Sequence, residues 1–316
     1  MALKPIQAAE DFVKNAGKKT LQLPRGPKVR KLSEEEATYF KGLFFGPSGS
    51  GKTFTLVGLL LHGFKIFVIS TDIGGEGLST VTHELRSLGR EDLLDNVLTV
   101  ILSDYKQVVS FLNDPTSIFP EIYDEGIDFL VWDGFSGFQH NLLSDEIGNM
   151  TPERAAGKEV SDARDSGLFF EQQDWNMVKN GTIRNLDKFL KLHNRKTGQV
   201  WHKIVTCLEE MKASRGSNGV TYVETRECML QGSAKKLILP AFDLIINTRI
   251  TEENGKRSFK YLCAGSETLT GAKTRGLKID ATEEGNMFKL WEKISEQKGI
   301  KKGAIDQDVM VGAELT

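Results

Sequence analysis

Eight consecutive residues, Gly46-Pro47-Ser48-Gly49-Ser50-Gly51-Lys52-Thr53, fit the pattern G-x-x-x-x-G-K-[ST]. Glycines at 46, 49 and 51 let successive backbone N–H groups turn inward on an anion, and the positive end of a following helix adds to the same field. Lys52 offers a cation to the outer phosphates of a nucleotide. The Thr53 hydroxyl offers a ligand to Mg2+, an ion that keeps most of its waters and accepts one or two protein groups. The alternative, a glycine-rich structural turn, is weighed by context. The octet follows an apolar run, Gly42-Leu43-Phe44-Phe45, and opens a second one, which is the strand–turn–helix setting the pattern needs.

The other half of such a metal site is an acid at the end of a buried parallel strand. Asp128-Phe129-Leu130-Val131-Trp132-Asp133 ends in one, just before Gly134. Ligands bind at the carboxyl edge of open α/β sheets, so Asp133 is the expected metal residue, against the plainer role of a cap. A second strand ends in acid at Ser70-Thr71-Asp72, followed by Ile73-Gly74-Gly75-Glu76. Read as D-x-x-G it imitates a GTPase switch, but it lies only 20 residues beyond Lys52, and the guanine-reading Asn/Thr-Lys-x-Asp is missing. Leu277-Lys278-Ile279-Asp280 comes nearest and lacks the amide or hydroxyl position.

These residues need a scaffold, and the apolar pattern describes one. Strands are expected at Tyr39 to Phe45, Lys65 to Ser70, Val97 to Leu102, Asp128 to Trp132 and Lys203 to Leu208, alternating with helices near 51–62, 78–88 and 105–112. That alternation means an α/β fold with a mostly parallel sheet covered on both faces. Residues 134–166 read as a long polar loop and Leu168 to His193 as one amphipathic helix. A second polar loop, Lys212 to Gly219, precedes an expected hairpin. Further strands are expected at Phe242 to Arg249 and Phe259 to Cys263, and a last helix at Met287 to Ser295.

The whole chain, 316 residues with 39% hydrophobic and 27% charged, is ordinary globular composition with enough length for one large core. A net charge of −2 makes no global case for a nucleic-acid or membrane partner. It averages over an arm: residues 1–31 hold eight basic and two acidic side chains, a net of +6. The expected division is a basic arm over 1–37, a core over 38–280, and a helix and tail over 281–316. Cys207, Cys228 and Cys263 lie far apart with no Cys-x-x-Cys pair, and the five histidines share no ligand spacing. A soluble, cytoplasmic protein is expected.

Taken in order, GPSGSGKT, FVISTD, FLVWDG, IVTCLEEMK, LQGSAKKLILPAFDLIINT and AKTRG resemble the core blocks of RecA-like ATPases, over about residues 38–280. The likeness is greatest to compact phage-encoded members associated with single-strand annealing and recombination. It implies ATP and Mg2+ as cofactors, with the octet Gly46, Pro47, Ser48, Gly49, Ser50, Gly51, Lys52 and Thr53 holding the nucleotide and Thr53 and Asp133 the metal. It makes Asp72 the catalytic carboxylate that activates water, with Glu76 in reserve, and Glu209 or Glu210 the sensor of the γ-phosphate.

The same resemblance puts two DNA-facing loops after Asp133 and after Glu210. The first holds Arg154, Lys158 and Arg164 with Phe135 and Phe138 near its start, and the second holds Lys212 and Arg215. Lys273 and Arg275 would reach a neighbouring subunit's γ-phosphate, since a guanidinium's charged fork fits phosphate oxygens. The implied assembly is an oligomer, ring or filament, on single-stranded DNA. Two other readings stay open: a hexameric helicase-like motor, and an ATP-gated scaffold in phage replication or assembly that does not hydrolyse.

Overall fold

A computed structural model describes residues 39–72, 77–148, 172–215, 222–230, 234–253, 256–266 and 269–300. The strands are β1 (Lys41–Gly46), β2 (Ile66–Ser70), β3 (Val97–Ile101), β4 (Phe129–Asp133), β5 (His202–Arg215), β6 (Tyr222–Cys228), β7 (Leu244–Glu253), β8 (Lys256–Leu262), β9 (Lys273–Thr274) and β10 (Thr282–Glu284). The helices are α1 (Thr55–Leu61), α2 (Gly77–Ser87), α3 (Tyr105–Asn113), α4 (Phe135–Gly148), α5 (Gln172–Lys191), α6 (Ala234–Ile238) and α7 (Met287–Lys298).

The central sheet runs β10-β8-β7-β1-β5-β4-β2-β3, parallel from β7 to β3 and antiparallel where β8 and β10 join. The fold is therefore α/β, with a mostly parallel mixed sheet flanked by helices. Alternation along each buried strand explains the two covers. Leu43 and Phe45 of β1, Trp132 of β4 and Val205 of β5 face a core shared with Phe111 of α3, Phe138 of α4 and Phe189 of α5. Phe44, Val131 and Ile204, their neighbours in sequence, face the opposite core with Leu59 of α1, Leu85 of α2 and Trp291 of α7. Full burial of each such side chain contributes about 1.5–3 kcal/mol.

Strand order departs from chain order in one respect that matters for chemistry. β1 does not pair with β2; β5 and β4 lie between them. The strand ending at Asp72 is thus three places from the strand that enters the glycine octet. Asp133 stands between them at the same carboxyl edge, with Ser70 opposite Asp133 in register.

Three expected segments differ from the structure. The polar loop expected from 134 is helix α4 through Gly148, because Phe135, Phe138 and Leu142 recur at helical spacing and are buried against Trp132 and its neighbours. The loop expected from Lys212 is strand as far as Arg215, paired with β6 from Glu209↔Cys228 to Arg215↔Tyr222. The helix expected from Gly51 begins at Thr55. Across its start, Leu56 N–H donates to Thr53 O at 3.0 Å and Val57 N–H to Phe54 O at 3.0 Å, the tighter spacing of a turn. Among the described residues no helix is long and apolar enough to cross a membrane.

Candidate functional site

The carboxyl edge of β1, β5, β4 and β2 gathers four of the predicted residues from three chain segments: Lys52, Thr53, Asp72 and Asp133. The octet leaves β1 at Gly46. Its buried Ser50 is held by a 2.7 Å hydrogen bond between its hydroxyl and that of Thr248 on β7, while Pro47, Ser48 and Gly49 are exposed. The Lys52 ammonium donates to the carbonyls of Gly46 at 3.0 Å and Pro47 at 2.8 Å. Burial lowers its pKa, and the carboxylates of Asp133 and Asp72 oppose that shift.

Asp133 is 2% exposed. Its Oδ1 accepts a hydrogen bond from Thr206 Oγ1 at 2.5 Å, and Thr53 Oγ1 lies 3.4 Å from Oδ2. Thr206 also accepts from the Gly134 N–H at 2.9 Å, so one β5 hydroxyl orients both the acid and the turn after it. Burial pushes the Asp133 carboxyl above the usual carboxylate range and the neighbouring charge of Asp72 adds to this; Thr206, Lys52 and Thr53 pull the other way.

Asp72 is fixed through its predecessor. The Thr71 N–H donates to Asp133 O at 2.9 Å, its hydroxyl donates to Gly134 O at 2.7 Å, and Trp132 Nε1 donates to that hydroxyl at 3.2 Å. Gly134 has φ of 81°, and a β-carbon there would collide with the Asp72 carboxylate, so glycine is required on both counts. Burial raises the Asp72 pKa, opposed by Lys52. Gly77, the first residue of α2, closes the group: a β-carbon on it would lie 3.1 Å from Asp133 Oδ2 and 3.2 Å from Thr53 Oγ1. Glu76 lies outside the described residues, as do Arg154, Lys158 and Arg164.

The two candidate sensors diverge. Glu209 is buried, accepting from Asn247 Nδ2 at 2.7 Å and paired with the Arg249 guanidinium on β7. Glu210 pairs instead with Lys235 of α6 at 2.8 Å and with Lys212 at 3.2 Å, and Lys212 also pairs with Glu227. The ammonium of Lys212 is therefore held by two carboxylates. Phe135 and Phe138 are fully buried, so they are core residues and not stacking platforms, because α4 turns them onto Trp132.

Lys273 and Arg275 sit far from the octet of their own chain. Lys273 pairs with Ile245, which pairs with Leu43, and Gly46 is three residues farther along β1, about 10 Å at roughly 3.3 Å per residue. Arg275 lies beyond, its N–H bonded to Asp243 O at 2.7 Å and its Nη1 to Pro240 O at 3.3 Å, at the opposite end of the sheet. Within one chain they take no part in the site.

Thr206, Thr71 and Arg249 were not singled out by sequence. A threonine inside the otherwise apolar Ile204-Val205-Thr206-Cys207-Leu208 is the one signal that pointed to the first.

The site fits a magnesium ion better than a cluster-held metal. Among the described residues no group of three or more His, Cys, Asp and Glu could hold a metal. One hydroxyl and one carboxylate do stand 3.4 Å apart at the sheet edge, the sparse set that Mg2+ accepts alongside its waters. No family model matches the chain, and no curated protein matches it.

Proposed function

We propose that the chain is a RecA-like ATPase that binds Mg2+ and ATP with Gly46–Thr53 and Asp133, and acts as an oligomer on single-stranded DNA in recombination or annealing. The observation that carries the nucleotide part is the meeting of Lys52, Thr53, Asp133 and Asp72 at one sheet edge, from segments far apart in sequence. Lys52 exchanges its two loop carbonyls for the outer phosphates. Thr53 and Asp133 would hold the metal, which when bound would supply positive charge to those phosphates. Asp72, held beside Gly134 with its pKa raised by burial, takes a proton from water.

The DNA part is supported by the β5–β6 hairpin, which continues from the same strand that positions Thr206 and Glu209. A ligand at the site and a strand on the hairpin would act on one element. Lys273 and Arg275 belong to this proposal only as groups reaching a neighbouring subunit.

The test is the ATP hydrolysis rate of the full chain with and without single-stranded DNA, beside Lys52→Ala. The proposal expects Mg2+-dependent turnover, stimulated by DNA and abolished in the variant. Absence of turnover in either condition contradicts the enzyme; turnover indifferent to DNA contradicts the nucleic-acid partner.

A further inference from the structure

Sheet order gives a bound nucleotide a direction. Thr53 and Asp133 mark the outer-phosphate end, over β5 and β4, with Asp72 beyond on the β2 side. The nucleoside therefore leaves the octet on the other side of β1, over β7 and β8. An apolar surface stands there.

Ile250 of β7 and Phe259 of β8 are opposite each other in register and so share a face. Thr248, two residues before Ile250 and on the same face, bonds the octet through Ser50. Phe259 touches the octet itself: a β-carbon on Gly51 would lie 2.5 Å from Phe259 Cδ1. The Phe259 ring also stacks on Phe54, the residue after Thr53, with centroids 4.7 Å apart and planes at 24°. Ile250 is 44% exposed beside this pair, one of the few large apolar side chains left in water among the described residues.

We infer that Ile250 and Phe259, with Phe54 stacked on Phe259, form the base-binding surface for the nucleotide whose phosphates the octet holds; this rests on the proposed nucleotide site. None of the three side chains offers a hydrogen bond, so the base is held by its flat face and by apolar contact.

Equilibrium binding of Mg2+ with ATP, and of Mg2+ with inorganic tripolyphosphate, separates base from phosphate. The wild-type chain should bind ATP at least about five-fold more tightly than tripolyphosphate. Ile250→Ser changes an exposed residue and keeps the fold; Phe259→Leu keeps apolar volume but removes the ring. Ile250→Ser, which does not touch the octet, should erase most of the ATP preference and leave tripolyphosphate affinity within about two-fold, and Phe259→Leu should weaken ATP binding more than tripolyphosphate binding. A wild-type chain that binds both ligands equally overturns the inference and leaves the octet's role standing. So does an ATP preference that neither variant reduces, or an equal loss for both ligands. Binding of neither ligand by the wild type overturns the octet's role, and the base surface with it.

Discussion

Thr206 donates to Asp133 from the strand that separates β4 from β1, and the same oxygen accepts from the backbone N–H of Gly134. The order of strands creates this arrangement. With β5 inserted beside β1, a β5 side chain stands against the acid on the oxygen that Thr206 reaches, and it can set the carboxylate's orientation. Replacing Thr206 by Val keeps the shape but strips both bonds in a buried place. We expect a loss of about 1–3 kcal/mol in urea unfolding and weaker Mg2+-dependent nucleotide binding, with Thr206→Ser close to wild type.

Asp133 makes the unliganded fold sensitive to pH. Its folded pKa is raised by burial above the unfolded value, so its contribution to stability is complete below the ordinary carboxylate range and is lost as pH rises through the folded value. Asp133→Asn removes that loss. Without ligand at pH 7–8 the variant should melt at or above the wild-type temperature, and Mg2+ with ATP should raise the melting temperature of the wild type only. A variant that melts well below wild type without ligand, or gains as much from ligand, contradicts this.

Lys203 gives a slope of its own, in the opposite region of pH. Fully buried on β5, it donates to Leu192 O at 2.9 Å and Trp201 O at 3.0 Å, and burial lowers its pKa to about 7. The unfolded chain keeps this proton up to about pH 10. Between these values the unfolded state binds more protons, so stability should rise with pH over that window. Unfolding free energies measured from pH 7 to 10 should lose this component in Lys203→Met.

The Glu209–Arg249 pair is largely withdrawn from water, with Glu209 at 4% and Arg249 at 15% side-chain exposure, and Arg249 Nε has no hydrogen-bond partner among the described residues. Removing one member strands the other. Arg249→Ala should cost about 3–5 kcal/mol in urea unfolding, while Glu209→Gln combined with Arg249→Met should cost less than the single change. Equal costs contradict an uncompensated charge as the cause.

Position along the sheet keeps Lys273 and Arg275 away from the octet of their own chain, so the role proposed for them is one between subunits. Mixing Lys52→Ala chains with Arg275→Ala chains should restore part of the hydrolysis that each lacks alone. No recovery at any ratio contradicts shared sites.

Local signals in the sequence were enough for the octet and for the strands ending at Asp72 and Asp133, because each is a short apolar run closed by its own residue type. The parallel sheet with two covers followed from the same alternation. Contacts made across strands were not legible. Nothing near Thr206 in sequence says that β5 pairs with β4, and nothing near Phe259 says that β8 folds back toward Gly51. Helix α4 was hidden by its own composition: Ser136, Gln139, His140 and Asn141 look like loop, yet Ser136 and Gln139 are buried along with Phe135, Phe138 and Leu142. The extension of β5 past Glu209 was masked in a similar way by Lys212, Ser214 and Arg215, polar residues that suit a hairpin outside the core.

Nucleotide binding at the octet is tested head-on by calorimetric titration of the full chain with ATP in the presence of Mg2+, beside Lys52→Ala and Asp133→Asn. The wild type should bind one ATP per chain, with at least about ten-fold weaker binding in Lys52→Ala and loss of the Mg2+ dependence in Asp133→Asn. Absence of binding to the wild type, or affinity unchanged in both variants, would contradict binding at the octet.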